Sequence, residues 1–482
     1  MAAIGIDFGT SNCCAYVADA HSVTAVPLDG EHLTLPSVVF TARRDVAMRQ
    51  VEQQEFEQRL RGARNEQARA RADGGVVLSD AELEKVVLDA LQREAQSEAQ
   101  RAYWDQSFFS MLEGDQAMIF GRPALGAYFA DPLSGVLVKS PKSFLGSDMD
   151  EKRLDRFEDI ITIMLQHIRH KAETATGRKL TRTILGRPVQ YHGTRGEEAN
   201  TQALDVMLRA AARAGFTEAE FELEPLAAAY EYERSLKAGQ VVLVVDVGGG
   251  TTDCVMVRLG PELAGKPDRS DDILGVSGDR IGGTDFDESL AWRALMPAFG
   301  KDTLLRSGLP LPQDLLHDAI SIRSVPAQTR FANGEYRLEQ LVHQSAVPEL
   351  VERMITVHAL QLQHRLVHSA EAAKIGLSVQ DQLPVDLGFV ESGLALEVQA
   401  SLFEAATERH VDKVRALARA AVDAAGVKPD LVFVTGGMAM SPLITRVIPA
   451  IVGAGVPIRS GEMLGTVGRG LGLCAQRRFC LR

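Results

Sequence analysis

Positive charge is the scarcer sign in this sequence: 52 lysines and arginines face 64 aspartates and glutamates over 482 residues, a formal net charge of −12. That balance disfavours a nucleic-acid backbone or an anionic membrane surface as the main partner. Cysteine is sparse, 5 in all, and Cys13, Cys14 and Cys254 sit in apolar, strand-like runs where buried thiols are commoner than disulfides or metal ligands. No apolar run is long enough to cross a bilayer, and the first residues lead straight into a strand without a basic start or a cleavage site, so a cytoplasmic address is expected. His364 and His368 lie one helical turn apart with no further ligand type beside them, which argues against zinc.

What is present is an ordinary globular balance, 45% hydrophobic and 24% charged, on a chain longer than one core usually serves. Two large α/β lobes are expected. The opening stretch, Ile4-Gly-Ile-Asp-Phe-Gly-Thr-Ser-Asn-Cys-Cys-Ala-Tyr-Val17, reads as two strands joined by a small-residue turn, and Val241 to Val257 repeats the pattern about half the chain later. Asp7 and Asp246 occupy equivalent places in the two. So wide a repeat suggests two related domains with a site between them.

Glycine and small hydroxyl residues are what a phosphate demands of a turn, because backbone N–H groups must come close while larger side chains stay out. Gly9, Thr10, Ser11 and Asn12 supply one such turn, and Gly248, Gly249, Gly250, Thr251 and Thr252 another. Magnesium takes few carboxylates beside phosphate oxygens, a demand Asp7 and Asp246 meet from opposite sides. Three further elements accompany them. Glu224-Pro225 opens a helix, where the carboxylate either complements the helix dipole or faces the cleft to orient a water. Gly282-Gly283 forms a turn before a helix. The strand from Leu431 ends in Gly436-Gly437-Met438, before a helix predicted to be capped by Ser441 with Pro442 in its first turn.

In this order the elements resemble the actin-like ATPase superfold of duplicated ribonuclease H-like domains, and within it the nucleotide-binding domain of DnaK-type, seventy-kilodalton heat-shock chaperones. The resemblance rests on Gly5 to Asn12, Val245 to Asp253, Gly282 to Asp287, Glu224-Pro225, and Val138-Lys-Ser-Pro-Lys-Ser-Phe-Leu-Gly146. It implies magnesium-dependent binding and hydrolysis of ATP to ADP. Asp7 and Asp246 would order the metal, and Thr10, Ser11 and Thr251 would contact the phosphates. Glu224 with Asp246 would position the lytic water, and Lys142 would neutralise developing charge, with Lys139 the competing lysine. The adenosine would be gripped by Glu371, Lys374 and Ser378, while the Gly436-Gly437-Met438 turn stands at the carboxyl end of a strand, where nucleotides settle in open α/β sheets. Departures accompany these matches: Ile375 and Met440 stand where the family has arginines, and the acidic residue expected near Leu464 is missing.

The expected organisation is lobe I over 1–42 and 115–238, a helical insertion over 43–114, lobe II over 239–297 and 364–482, and a second insertion over 298–363. The first insertion reads as a helical hairpin broken at Asp73-Gly74-Gly75. Its second helix starts at a Ser79 to Glu82 capping box and carries an apolar face of Leu83, Val86, Val87, Ala90 and Leu91. The second insertion is expected to end in a helical stretch from Val357 to His368. The chain stops at Arg482, so no peptide-binding β-sandwich is expected, and a client or partner protein would be met through the inserted helices or a lobe surface. Chaperone-type ATPase is the leading expectation. An actin-like filament or scaffold ATPase, or a small-molecule kinase, are the alternatives.

Overall fold

Residues Ala3–Phe8 are buried at nearly every position, as a strand covered on both faces must be, and they form β1, which turns at Gly9–Ser11 into β2 (Asn12–Ala18). The computed structural model describes residues 2–42, 49–72, 78–105, 118–191, 195–266, 268–453, 455–460 and 465–481. The break proposed at Asp73-Gly74-Gly75, the proposed insertion limits Arg43 and Gly114, and Leu464 lie outside the described residues.

Beside β2 run β3 (Val23–Ala25) and β4 (Thr34–Pro36). A separate three-stranded sheet joins β5 (Val38–Ala42), β6 (Ile119–Phe120) and β7 (Gly135–Lys139). The first sheet continues on the other side of β1 with β8 (Arg182–Arg187) and β9 (Glu218–Leu223), giving the order β3-β2-β1-β8-β9. The second large sheet is built from β10 (Gln240–Val247), β11 (Thr252–Leu259) and β12 (Ile273–Asp279). After a hairpin of β13 (Gln382–Asp386) and β14 (Ala395–Gln399), β15 (Leu431–Thr435) and β16 (Ile458–Ser460) complete it in the order β12-β11-β10-β15-β16. Read in matching order, both large sheets run antiparallel, antiparallel, parallel, parallel.

Two helices, Glu224–Glu233 and Thr466–Ala475, contribute to one apolar cluster with residues of both large sheets, among them Ala3, Ile184, Val242, Val255 and Phe433. Their crossing is made by backbone. A Cβ on Gly470 would lie 1.8 Å from the Ala227 carbonyl oxygen, and one on Gly5 would lie 2.3 Å from the Gly472 nitrogen. The alanines of Leu226-Ala-Ala-Ala-Tyr230 and the glycines of Gly468-x-Gly470-x-Gly472 are the residues that allow this approach.

The segment 298–363 packs into the same core as the second sheet: Leu315, Phe331, Leu341, Val351 and Met354 share a cluster with Leu243, Val245 and Phe286. The stretch expected to be helical from Val357 to His368 is two helices, Pro348–Ala359 and Gln363–Gly376, parted at Gln361, whose φ of 52° is left-handed. Ser441 precedes its helix as expected, but its side chain makes no capping bond; its carbonyl accepts from Ile444 and Thr445.

Residues Ala42–Ala117 group into one compact unit, and Met1–Thr41 with Met118–Arg482 into another. The first is a hairpin of helices Gln53–Ala72 and Asp80–Asp105, whose small core comprises Leu60, Leu83, Val87 and Leu91. The capping box forms reciprocally, Ser79 N donating to Glu82 Oε2 at 2.8 Å and Glu82 N to Ser79 Oγ at 3.3 Å. The apolar face is narrower than its sequence spacing implies, because Val86 and Ala90 face solvent.

Candidate functional site

Each β1–β2 and β10–β11 hairpin ends in a turn of small residues, and the two turns face each other. A Cβ added to Gly249 would lie 2.0 Å from Ser11 Oγ, and one on Gly250 would lie 2.9 Å from Thr10 Oγ1. A side chain at either glycine would force Ser11 or Thr10 out of its place. Around the facing turns lies one cleft, lined by Asp7, Gly9, Thr10, Ser11, Asn12, Glu224, Asp246, Gly248, Gly249, Thr251, Gly436 and Gly437. Eight residues of that lining, Gly9, Thr10, Ser11, Gly248, Gly249, Thr251, Gly436 and Gly437, are glycine or hydroxyl residues, the types that let an anion's oxygens approach backbone N–H groups.

Gly436 is constrained twice. Its φ of 87° is left-handed, and a Cβ there would meet Asp246 Oδ1 at 2.4 Å. The second turn is also braced from behind, Gly283 N donating to the Gly248 carbonyl and Thr284 N to the Gly249 carbonyl, both at 2.9 Å. Thr252 is turned away from the cleft, its hydroxyl donating to the Ile281 carbonyl at 2.7 Å.

The cleft residues Asp7, Glu224 and Asp246 belong to a cluster that Asp253 and the ammonium of Lys142 complete. Lys142, buried on a short turn of Pro141–Phe144, pairs with Glu224 and donates to the Gly186 carbonyl at 3.4 Å. Burial would pull its ammonium pKa down, but Glu224, Tyr191 and Asp7 outweigh that and hold it above the ordinary value. Asp7 is pushed up to about 7 by burial and by the Glu224 carboxylate, against the pull of Lys142. Burial raises Asp246 well above the carboxylate range, with Glu224, Asp253 and Asp7 adding to it. Asp253 is likewise pushed up to about 7 by burial and Glu224, although the Val189 N–H donates to it at 2.7 Å. The cluster is short of positive charge, and a bound cation with its waters is what such oxygens accommodate. Asp7 and Asp246 both line the cleft and are oxygen donors of the type magnesium takes.

The residues expected near the adenosine lie beside the second turn and are already paired. Lys374 forms an ion pair with Asp287 at 2.8 Å and donates to the Gly283 carbonyl at 3.2 Å. Glu371 pairs with Lys139 at 2.9 Å, and its pKa is lowered because the His368 and Lys139 contacts outweigh its burial. Ser378 lies just past the helix end, its hydroxyl donating to the Lys374 carbonyl at 3.3 Å, and Met438 N donates to the Val247 carbonyl at 3.1 Å. Lys139 and Lys142, read as competitors, thus occupy different surroundings. Ile375 and Met440 are 63% and 59% exposed, apolar side chains left open where cations were expected.

Further contributors carry no mark of their role in the sequence. Asp253 stands inside the second turn motif. Thr435 and the segment Gly465–Val467 line the cleft from the end of β15 and the start of the last helix. Ser37, fully buried, donates its hydroxyl to the Gly9 carbonyl at 2.6 Å and its N–H to the Ser11 carbonyl at 2.9 Å. It carries no motif.

A family model described as Hsp70 protein matches residues 139–305. The chain is similar to the chaperone protein DnaK of Thermotoga neapolitana, 26% identical over 354 residues that cover 70% of this chain and 48% of the relative. It is 25% identical over the same length to the DnaK proteins of Thermotoga petrophila and Thermotoga maritima, with the same coverage. The chain therefore spans about half the length of the curated relatives it matches. These similarities support a relation to the nucleotide-binding domain of the Hsp70 family, and the mixed α/β architecture fits that actin-like ATPase fold.

Proposed function

We propose, from this relation to the Hsp70 nucleotide-binding domain, that the chain binds ATP with magnesium in the cleft between its two large sheets and hydrolyses it, as the motor of a chaperone-type system. One observation carries the reading: two glycine turns from two sheets with the same series of strand senses meet over a cluster of four carboxylates, Asp7, Glu224, Asp246 and Asp253, that share the ammonium of Lys142. Two structural hairpins would need neither the facing glycines nor the excess of acids. The matching strand senses also support descent of the two lobes from one duplicated domain.

Asp7 and Asp246 would hold magnesium, whose charge would offset that of the phosphates and of the carboxylates themselves. Thr10, Ser11, Asn12 and Thr251, with the amides of Gly9, Gly248, Gly249 and Gly250, bind the phosphate chain. Lys142 holds its proton and faces the transferred phosphoryl group, stabilising charge that develops there. Glu224, paired with that lysine, and Asp246 orient the attacking water; its oxygen bonds to the γ-phosphorus as the bond to ADP breaks, and its proton passes to a cleft carboxylate. Glu371, Lys374, Ser378, Gly282, Gly283, Gly436, Gly437 and Met438 form the nucleoside end. With Ile375 and Met440 there in place of cations, base discrimination rests on fewer polar contacts.

Calorimetric titration with ATP, ADP and GTP, with and without magnesium, tests the site. The native chain is expected to bind ATP in a magnesium-dependent manner and to release phosphate without any acceptor, and Asp246→Asn to lose at least about tenfold in affinity, the order of one lost charge contact to the metal. Equal, metal-independent binding by both proteins would remove the site. Turnover only in the presence of a metabolite would make the chain a kinase instead.

A further inference from the structure

Lys142 stands on a turn with an uncommon backbone. Ser140 precedes Pro141, a position that ordinarily forces an extended conformation, yet its φ and ψ are 58° and 54°, in the left-handed region. Such a serine persists only where its surroundings hold it. From one side they do: Ser140 N donates to the Ser37 carbonyl at 2.7 Å, and the Ser143 N–H and hydroxyl donate back to the Ser140 carbonyl at 2.9 and 2.7 Å. Since Ser37 is bonded to Gly9 and Ser11, the lysine turn and the first phosphate turn are tied together on the side of the first sheet.

The second sheet reaches the same turn through Arg280. Its Nη2 donates to the Ser143 carbonyl at 2.9 Å, one residue from Lys142. Arg280 sits in the loop between β12 and the helix Gly283–Leu290, fixed by its own N–H donating to Asp279 Oδ1 at 2.6 Å, while Asp279 pairs with Lys413 at 2.6 Å. Two residues on, Gly282 packs against the second phosphate turn so closely that a Cβ would lie 2.6 Å from Gly250 N. Burial and the neighbouring Arg323 both work against the Arg280 charge, with Asp285 and Glu288 in its favour. A guanidinium kept in so unfavourable a place, spanning two sheets to bind a carbonyl, has a placement that surface solvation does not explain.

We infer that Arg280 is a positioning residue that couples the seating of the second sheet's loop to the aim of Lys142, through the Ser143 carbonyl. Arg280 touches neither phosphate nor water in this role; it adds, from the second sheet, to the support that Ser37 gives the turn and to the stacking of Phe144 on Phe157. The inference rests on the reading of the cleft as an ATPase site.

The experiment compares the native chain with Arg280→Gln and Arg280→Lys in three measurements: steady-state phosphate release, calorimetric ATP affinity, and amide hydrogen exchange over residues 140–146 without nucleotide. A misplacement of about 1 Å at a catalytic group costs on the order of a hundredfold, so Arg280→Gln is expected to lower kcat by at least about tenfold while ATP affinity stays within about threefold. Arg280→Lys, which can still donate to a carbonyl, is expected to recover part of kcat. Exchange over 140–146 should quicken by about fivefold or more in Arg280→Gln. Unchanged kcat, or kcat and affinity falling in step with the melting temperature, would overturn the inference. Absence of phosphate release from the native chain would instead overturn the ATPase reading; the exchange measurement then still decides whether Arg280 supports the turn, and unchanged exchange overturns that as well.

Discussion

His364 lies where the helix Gly121–Ala130 meets Gln363–Gly376, its ring edge-on to Tyr128 with centroids 5.8 Å apart, while the Tyr128 hydroxyl donates to the left-handed Gln361. Its Nδ1 is buried without a hydrogen-bond partner, and burial, with Lys139 nearby, pushes its pKa down to about 4. The fold therefore favours the neutral ring. The stability this contributes is present above the unfolded pKa of about 6.5 and is lost as pH falls through the folded value. His364 should contribute a loss of stability between about pH 6.5 and 4, opposed by the raised carboxylates Asp7 and Asp253, and His364→Phe, which keeps a ring against Tyr128, should remove that contribution. Chemical denaturation at pH 7 and at pH 5 reads the difference; equal pH dependence in the two proteins would contradict it.

At the scale of elements, the crossing of Glu224–Glu233 with Thr466–Ala475 is the joint most sensitive to a single atom. Gly470→Ala would place a Cβ 1.8 Å from a carbonyl, and neither backbone can yield without moving a sheet. Overpacking of this kind costs about 1–3 kcal/mol, so the variant should unfold at lower denaturant with an unchanged slope. Elements of this kind were readable in part. Both hairpins follow from their turns, because only small residues allow close approach, and the Pro225 helix follows from proline's fit to a first turn. The break at Gln361 was not readable: a left-handed glutamine carries no sequence mark and follows from the packing of two helices. Ser37 and Arg280 were unreadable for the same reason, since their partners Ser140 and Ser143 lie about a hundred residues or more away. Val86 and Ala90 erred the other way, apolar at helical spacing but without a neighbour to cover them.

For the molecule as a whole, net charge and the lack of a long apolar run limited the partners, and among the described residues no helix is long and apolar enough to cross a membrane. A ligand gripped by turns from both sheets must stabilise them together. At a hundred times its dissociation constant, MgATP or MgADP should add about 2.7 kcal/mol and raise the unfolding midpoint, and removal of magnesium by a chelator should cancel the gain. Thermal scans with and without the metal check this; a shift by nucleotide alone would contradict the arrangement of Asp7 and Asp246.

The glycine-to-alanine crossing behind the cleft has a further meaning. Helices that interlock through side chains turn against each other in steps, each ridge having to leave its groove. Where Gly470 rests on the Ala227 backbone there is no side-chain ridge to lift, so that contact sets no such steps between the two helices. The two facing glycine turns lie beyond it. A rotation there would change the spacing of Gly249 and Ser11, and in the proposed reading a nucleotide held by both turns would fix the angle between the sheets.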